Sequence, residues 1–255
     1  MTFALTHLPS SRMDACVRTH IEVQPIDGAL ALRQHEAYRA MLARCGAQVT
    51  VLDANRTMPD CVFVEDTAIV LDEIAIITSM GTSSRRAEPA AIEAELGKYR
   101  SIVRVSLPAT IEGGDVLRVG RRLLVGATSR TNAAGIAALA ELTRGHGYQV
   151  TPVPVTGCLH LKTACTALPD GSLLVNPAWV DRGALTALGF DVVTVHAAEP
   201  NAANVALVGE HVCTGTGHPG TAEIMEQRGF KVVSVDLSEF AKAEGCTTCM
   251  SLLFT

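Results

Sequence analysis

The chain has no concentration of positive charge: 21 Lys and Arg stand against 26 Asp and Glu, and the basic residues are scattered. Without a basic stripe nothing displaces counterions from a phosphate backbone, so nucleic acid is not an expected partner. It also lacks an unbroken apolar run of membrane-spanning length. The stretch Ala68 to Ile77 is cut by Asp72 and Glu73, and Met1 to Arg12 shows no charged leader followed by a long apolar segment. A cytoplasmic protein with no membrane partner is therefore expected. Of the eight cysteines only Cys246 and Cys249 form a C-x-x-C, and no second pair or nearby histidine completes four ligands. That pattern excludes a zinc finger, and with no leader it does not describe a disulfide scaffold.

What is present is enough apolar material for a core: 48% of 255 residues are hydrophobic, sufficient for one large domain or two small ones. A unit of amphipathic helix, turn and Val-rich strand recurs. It ends at Leu52, Leu107, Val155, Val195 and Leu237. In four copies Gly46, Gly147, Gly189 or Gly229 falls where a helix C-cap takes a left-handed residue, and in the second copy Gly97 comes slightly earlier. Two further strand-like runs follow each of the first four copies, with turns at Asp72-Glu73, Gly120-Arg121, Pro169-Gly171 and Gly209-Glu210. After the fifth copy only Cys249 to Thr255 remains, and Met1 to Leu8 is an unpaired strand at the other end. Pairing these two closes a ring without an open edge. The expected fold is thus α/β, a five-bladed α/β propeller of ββαβ repeats formed by one catalytic domain, 1–255. The alternative is a doubly wound α/β sheet.

Reactive residue types recur at one phase of the unit: Asp60, Glu65 and Asp66, then Glu112 and Asp115, then His160, Asn204 and Cys249. In a ring, equivalent positions face the axis. Cys249 and His160 would then meet as nucleophile and proton carrier. Asp66 and Glu112, which only accept hydrogen bonds when ionised, suit a planar cation rich in N–H donors, such as a guanidinium. Arg85 and Arg130 lie at matching helix entrances in adjacent units, where a cation is disfavoured by the helix dipole, and are expected to converge on a carboxylate. A small-molecule substrate with a cation at one end and a carboxylate at the other has the shape of arginine.

Pro59 through Asp66, Ser84-Arg85-Arg86, Glu112-Gly113-Gly114-Asp115, Ser129-Arg130-Thr131-Asn132, Leu159-His160-Leu161-Lys162, Ala202-Ala203-Asn204 and Thr248-Cys249-Met250-Ser251 carry a resemblance. In order, and nearly end to end, they resemble the dimethylarginine dimethylaminohydrolase family of the guanidine-modifying superfamily. The resemblance implies a pentein, the five-bladed ring expected above, and hydrolysis of methylated arginine to citrulline and an amine. Cys249 would attack the guanidinium carbon while Asp66 and Glu112 grip its nitrogens, and His160 would protonate the departing amine and then activate water. Arg85 and Arg130 would hold the α-carboxylate, Asp60 and Glu65 would stand near the α-amine, and Phe63 would line the pocket. No metal or organic cofactor is implied.

The polar connection Arg12 to Gly28 matches the family's lid. Cys16 stands where relatives often carry Leu, and Ala243 and Glu244 replace a larger aliphatic residue and an Asp found in some relatives. These substitutions bear on contacts to the amino-acid end. A bound guanidinium would itself stabilise a thiolate, so the free Cys249 thiol need not be acidic. The rival readings are an arginine deiminase releasing ammonia, an amidinotransferase, and an idle pentein that binds arginine-like ligands. The apolar pattern does not distinguish a monomer from a homodimer joined at a blade edge.

Overall fold

The computed structural model describes every residue from Met1 to Thr255. Its strands form five separate three-stranded sheets. In the first, strand β1 (Thr2–His7) leads through helix α1 (Gly28–Arg44) to the parallel strand β2 (Ala47–Leu52). The second sheet contains β3 (Ala68–Val70) and β4 (Ile74–Ile77), then α2 (Pro89–Leu96) and β5 (Ser101–Arg104). The third contains β6 (Val116–Val119), β7 (Arg122–Ala127), α3 (Ala133–Arg144) and β8 (Gln149–Pro154).

A short helix α4 (Leu161–Ala164) opens the fourth sheet, of β9 (Cys165–Ala167), β10 (Leu173–Val175) and β11 (Val192–Thr194), with α5 (Arg182–Ala187) as its crossover. The fifth has β12 (Ala206–Val208), β13 (His211–Gly215), α6 (Pro219–Gln227) and β14 (Lys231–Val235). After a short α7 (Ser238–Ala241), the last strand, β15 (Leu252–Phe254), pairs antiparallel with β1 and completes the first sheet. In every sheet the first two strands are antiparallel and the third returns parallel to the second through the helix. This is the expected five-bladed ββαβ arrangement, because a parallel pair needs a crossover long enough to hold a helix. A cavity of about 590 Å³ is lined by residues of β3, β6, β9, β12 and β15, so the five innermost strands surround a common axis.

Local chemistry explains the crossovers. Asp27, Asn132 and Asp181 accept backbone N–H groups of the first turns of α1, α3 and α5, while Pro89 and Pro219 start α2 and α6 where a missing donor costs nothing. Gly46, Gly147, Gly189 and Gly229 all have φ between 75° and 99°, as the cap reading expects. Gly97 differs, with φ −59°: the chain continues in a right-handed turn, in which Arg100 N–H still bonds to the Leu96 carbonyl, before β5 begins.

The apolar side chains divide into clusters between each sheet, its helix and the neighbouring blade. Leu123, Val125 and Leu139 share one, Leu124, Leu173 and Leu185 the next. Each such residue is fully buried, a burial worth about 1.5–3 kcal/mol apiece. Tyr38 of α1 is also buried, and its hydroxyl bonds to the Thr247 carbonyl at 2.8 Å and the Ser251 hydroxyl at 2.7 Å, tying the first helix to the turn that carries Cys249.

Candidate active site

Each innermost strand is preceded by a short turn, and the residues of shared phase sit on these turns. Asp66 lies in a 3-10 turn at Val64–Thr67, Asp115 in one at Gly113–Asp115, His160 caps α4, Asn204 precedes β12, and Cys249 lies in the turn before β15. The five turns are linked in sequence around the axis. Gly114 N–H donates to Asp66 Oδ1 (3.2 Å), Leu161 N–H to Asp115 Oδ1 (3.0 Å), Asn204 Nδ2 to the Lys162 carbonyl (2.9 Å), Thr248 N–H to Asn204 Oδ1 (2.9 Å) and Glu65 N–H to the Cys249 carbonyl (3.1 Å). A hydrogen-bonded circuit of this kind sets the relative positions of groups that are distant in the chain.

A cavity of about 20 Å³ lies at this end of the axis, lined by Val17, Asp60, Phe63, Asp66, Arg85, Arg130, Leu159, His160, Ala243, Glu244 and Cys249. Thiol and imidazole therefore face one space. His160 Nε2 is 2.8 Å from Glu112 Oε2, and Nδ1 is 3.8 Å from Asp66 Oδ1. Burial would lower the imidazole pKa, but Asp66, Asp115 and Glu112 outweigh it and raise the value to about 9. At neutral pH the ring is a cation. Asp66 is held below the ordinary carboxylate range because His160 and Arg85 overcome the opposing effect of its burial.

Glu112 is fully buried behind the ring, with Oε1 accepting Gly81 N–H at 3.0 Å. Gly114 is confined by these neighbours: a Cβ there would come within 2.7 Å of Asp66 Oδ1 and His160 Nδ1. Cys249 Sγ accepts the Cys246 N–H at 3.3 Å. The Cys246 side chain, then burial, then the charges of Glu65 and Asp66 push the Cys249 thiol well above its ordinary range. The thiol is thus neutral beside a cationic imidazole.

The two arginines differ in a way that position in the chain does not reveal. Arg85 Nη1 donates to Asp66 Oδ2 at 2.7 Å, and its Nε and Nη2 edge is forked onto Glu88 at 2.9–3.3 Å, with Nη2 also reaching the Phe63 carbonyl. Arg130 is less committed. Its Nη2 reaches Thr19 Oγ1 at 3.3 Å, while buried Nη1 has no hydrogen-bond partner and lies 3.5 Å from Glu112 Oε2.

Asp60 accepts the Val17 N–H at 3.1 Å, and burial raises its pKa against the pull of Arg85 and that N–H. Glu65 does not line the cavity. One of its oxygens accepts Lys162 Nζ and the other Thr248 Oγ1, both at 2.6 Å, so its carboxylate braces the turn of Cys249. Cys16 is also absent from the lining: its side chain packs with Met13, Phe63 and Ala243, burial raises its thiol to about 11, and Val17 reaches the cavity in its place. Glu88, Val17, Leu159 and Lys162 were not assigned a site role from the sequence, although Leu159 and Lys162 flank His160 in its motif and Val17 lies in the lid segment. Only Glu88, three residues from Arg85, could have been found from spacing.

The cavity is far smaller than the ~300 Å³ of an ordinary ligand pocket because the segment before α1 covers it. Thr19 and His20 N–H groups each donate to Glu244 at 2.6 Å, and Arg18 Nε to the Lys242 carbonyl at 2.8 Å. Glu244 is the one non-glycine residue with positive φ, 58°. A larger cavity of about 630 Å³ lies alongside, with Leu159 and Glu244 common to both.

Asp66, Glu112 and His160 also place three ligand-type atoms within 4.8 Å of one another, the dimensions of a metal site. The imidazole there is itself a cation bonded to Glu112, so the cluster already contains its compensating charge.

A five-bladed ββαβ ring whose axial turns present a thiol, an imidazole and paired acids defines a pentein enzyme. Comparison with known proteins narrows the class. Residues 9–165 match the family model described as N,N dimethylarginine dimethylhydrolase, eukaryotic. The N(G),N(G)-dimethylarginine dimethylaminohydrolase of Streptomyces coelicolor is 39% identical, covering 98% of this chain and 95% of that protein. The protein of the same name from Pseudomonas aeruginosa is 35% identical over 89% of this chain and 90% of its own length. A solved structure of the Pseudomonas aeruginosa protein, a cysteine-to-serine mutant complexed with citrulline, aligns with a TM-score of 0.93 and 32% identity, covering 99% of this chain and 98% of that one. The chain belongs to the dimethylarginine dimethylaminohydrolase family.

Proposed function

We propose that this protein hydrolyses Nω-methylated arginine to citrulline and dimethylamine or methylamine, with Cys249 as nucleophile and the whole chain, 1–255, acting as one catalytic unit. The observation that carries the mechanism is the pairing, in one cavity, of a neutral thiol with an imidazole kept cationic by three carboxylates, Asp66, Asp115 and Glu112. Asp66 accepts the substrate's N–H groups while Glu112 holds the imidazole from behind, and the arriving guanidinium compensates the negative charge of a Cys249 thiolate, so the thiol releases its proton to solvent on binding. The sulfur attacks the guanidinium carbon. Protonated His160 then gives its proton to the methylated nitrogen, which leaves as the free amine and leaves a thiouronium cation on Cys249. Neutral His160 next takes a proton from water as the water oxygen bonds to the same carbon, and collapse expels the sulfur, which takes up the remaining hydroxyl proton to restore the thiol, and releases the ureido group of citrulline.

At the other end, Arg130, with its free Nη1, is the main partner of the substrate carboxylate, and Arg85 adds to the field while it orients Asp66. Asp60 accepts from the α-amine in exchange for the Val17 N–H when the lid moves. Phe63 and Ala243 wall the aliphatic stem. Every side chain in the scheme comes from one chain, so the chemistry does not call for a homodimer. No helix is long and apolar enough to cross a membrane. Eight free cysteines fit a reducing cytoplasm.

Turnover of asymmetric dimethylarginine, monomethylarginine and arginine, followed as citrulline together with the amine released, tests the reading. Citrulline with dimethylamine is expected. Ammonia from arginine with no methylated amine would assign a deiminase, and citrulline from none of the three would leave a ligand-binding pentein.

A further inference from the structure

Asp115 shares the phase of the site residues yet does not line the cavity, and its carboxylate is fully buried. Its partners identify its charge state. Oδ2 accepts from Thr128 Oγ1 at 2.7 Å and Thr131 Oγ1 at 2.6 Å, and Oδ1 accepts Leu161 N–H at 3.0 Å. The Thr128 hydroxyl is committed as a donor because both its lone pairs already receive backbone N–H groups, and the Thr131 hydroxyl already receives one. Thr131 Oγ1 receives that of Glu112 (3.2 Å), and Thr128 Oγ1 those of Arg130 (3.1 Å) and Thr131 (3.3 Å). Three donors and no acceptor suit an ionised carboxylate. No Lys or Arg bonds to it; burial raises its pKa, and the nearby imidazolium of His160, together with the three donors, acts against that rise.

We infer that Asp115 is a positioning residue of the reaction: through one carboxylate it registers the backbones bearing His160, Glu112 and Arg130, and, bonded to the N–H of the residue after His160, it adds a negative charge to those around the imidazole. The mechanical half follows from the bonds above. Loss of that carboxylate would free the residue after His160 and, through two threonines, the backbone of Glu112 and Arg130. The electrostatic half follows from the surroundings of the ring. His160 is faced by Glu112 at 2.8 Å and Asp66 at 3.8 Å, with Arg130 and Arg85 as cations behind those two acids, the Glu65–Lys162 pair on the following turn, and the Cys249 thiol across the cavity. Asp66 and Glu112 each share their charge with an arginine. Asp115 pairs with no arginine or lysine, so His160 is the cation its charge faces.

The role depends on the proposed use of His160 as acid and then base, but it can be read without turnover. The imidazole titration of His160 by NMR in ligand-free protein, assigned against His160→Gln, measures the electrostatic half in Asp115→Asn. A fall of about one pH unit is expected, together with an about tenfold drop in kcat, a matching acid shift of the alkaline limb, and KM within about twofold. Thr131→Val keeps the charge and removes one tie. It is expected to lower kcat severalfold with the His160 titration in place, and Thr131→Ser to restore the rate. A folded Asp115→Asn with unchanged titration and kcat would overturn the inference. So would an unaltered kcat in Thr131→Val, which decides the matter if Asp115→Asn does not fold. Failure of the unsubstituted protein to release amine from methylarginine would count against the proposed function and leave the titration result standing.

Discussion

His160 Nε2 sits 2.8 Å from Glu112 Oε2, a bond between a buried imidazole and a carboxylate with no solvent exposure. With the charges of Asp66 and Asp115, this pair keeps His160 protonated at the pH where the acid step must occur. With a folded-state pKa of about 9, raised from 6.5, the imidazolium is retained through neutrality. The kcat for methylarginine is therefore expected to hold between about pH 7 and 8 and to fall as pH rises through 9. The sign is the same for stability: the favourable imidazolium contacts are fully present below 6.5 and are lost as pH rises through 9. A pH profile of kcat with an alkaline limit near 6.5 would contradict this assignment.

Cys249 is expected to react slowly with iodoacetamide at pH 7 in the ligand-free protein, because its thiol is raised well above the ordinary range. Cys249→Ser should leave the thermal midpoint within a few degrees and remove citrulline formation. Rapid alkylation at Cys249 well below neutrality, measured by mass spectrometry, would reject binding-coupled deprotonation.

The arginines should separate on two readouts. Arg130→Ala removes charged hydrogen bonds worth about 1.5–3 kcal/mol each, so KM is expected to rise about 10- to 100-fold with little change in thermal midpoint. Arg85→Ala should also destabilise the fold, since it leaves Asp66 and Glu88 buried without their cation, a loss of about 3–5 kcal/mol. Equal thermal midpoints for the two variants would show that the Glu88 fork carries no weight.

Glu244 is expected to latch the covering segment, since its two oxygens receive successive N–H groups from Thr19 and His20. Glu244→Ala should speed tryptic cleavage after Arg18 severalfold and raise KM, without lowering the thermal midpoint by more than a few degrees. Unchanged cleavage would place the closing energy in the Arg18–Lys242 and Val17–Asp60 contacts instead.

Much of the architecture was legible because its causes are local. Gly46, Gly147, Gly189 and Gly229 marked helix ends since a positive φ excludes most side chains, and the recurrence of that signal exposed the repeat. Gly97 misled for the same reason: glycine tolerates a left-handed cap but does not demand one. In the site, shared phase grouped Asp66, His160 and Cys249, which line one cavity, while the same phase covered Asp115 and Asn204, which brace neighbouring turns. Phase places a residue near the axis. It does not say whether its side chain points at the cavity or at the next blade.

Residue order alone determined the five units and the closing pair of terminal strands, since hydrophobic period, cap residues and short motifs each act within a few positions. Only the folded chain decided that Glu65 reaches Lys162 and Thr248, that Val17 displaces Cys16 from the cavity wall, and that Arg85 is saturated where Arg130 keeps a free donor. Those outcomes depend on which donors and acceptors from distant segments come within about 3 Å once water is excluded, a selection made by packing.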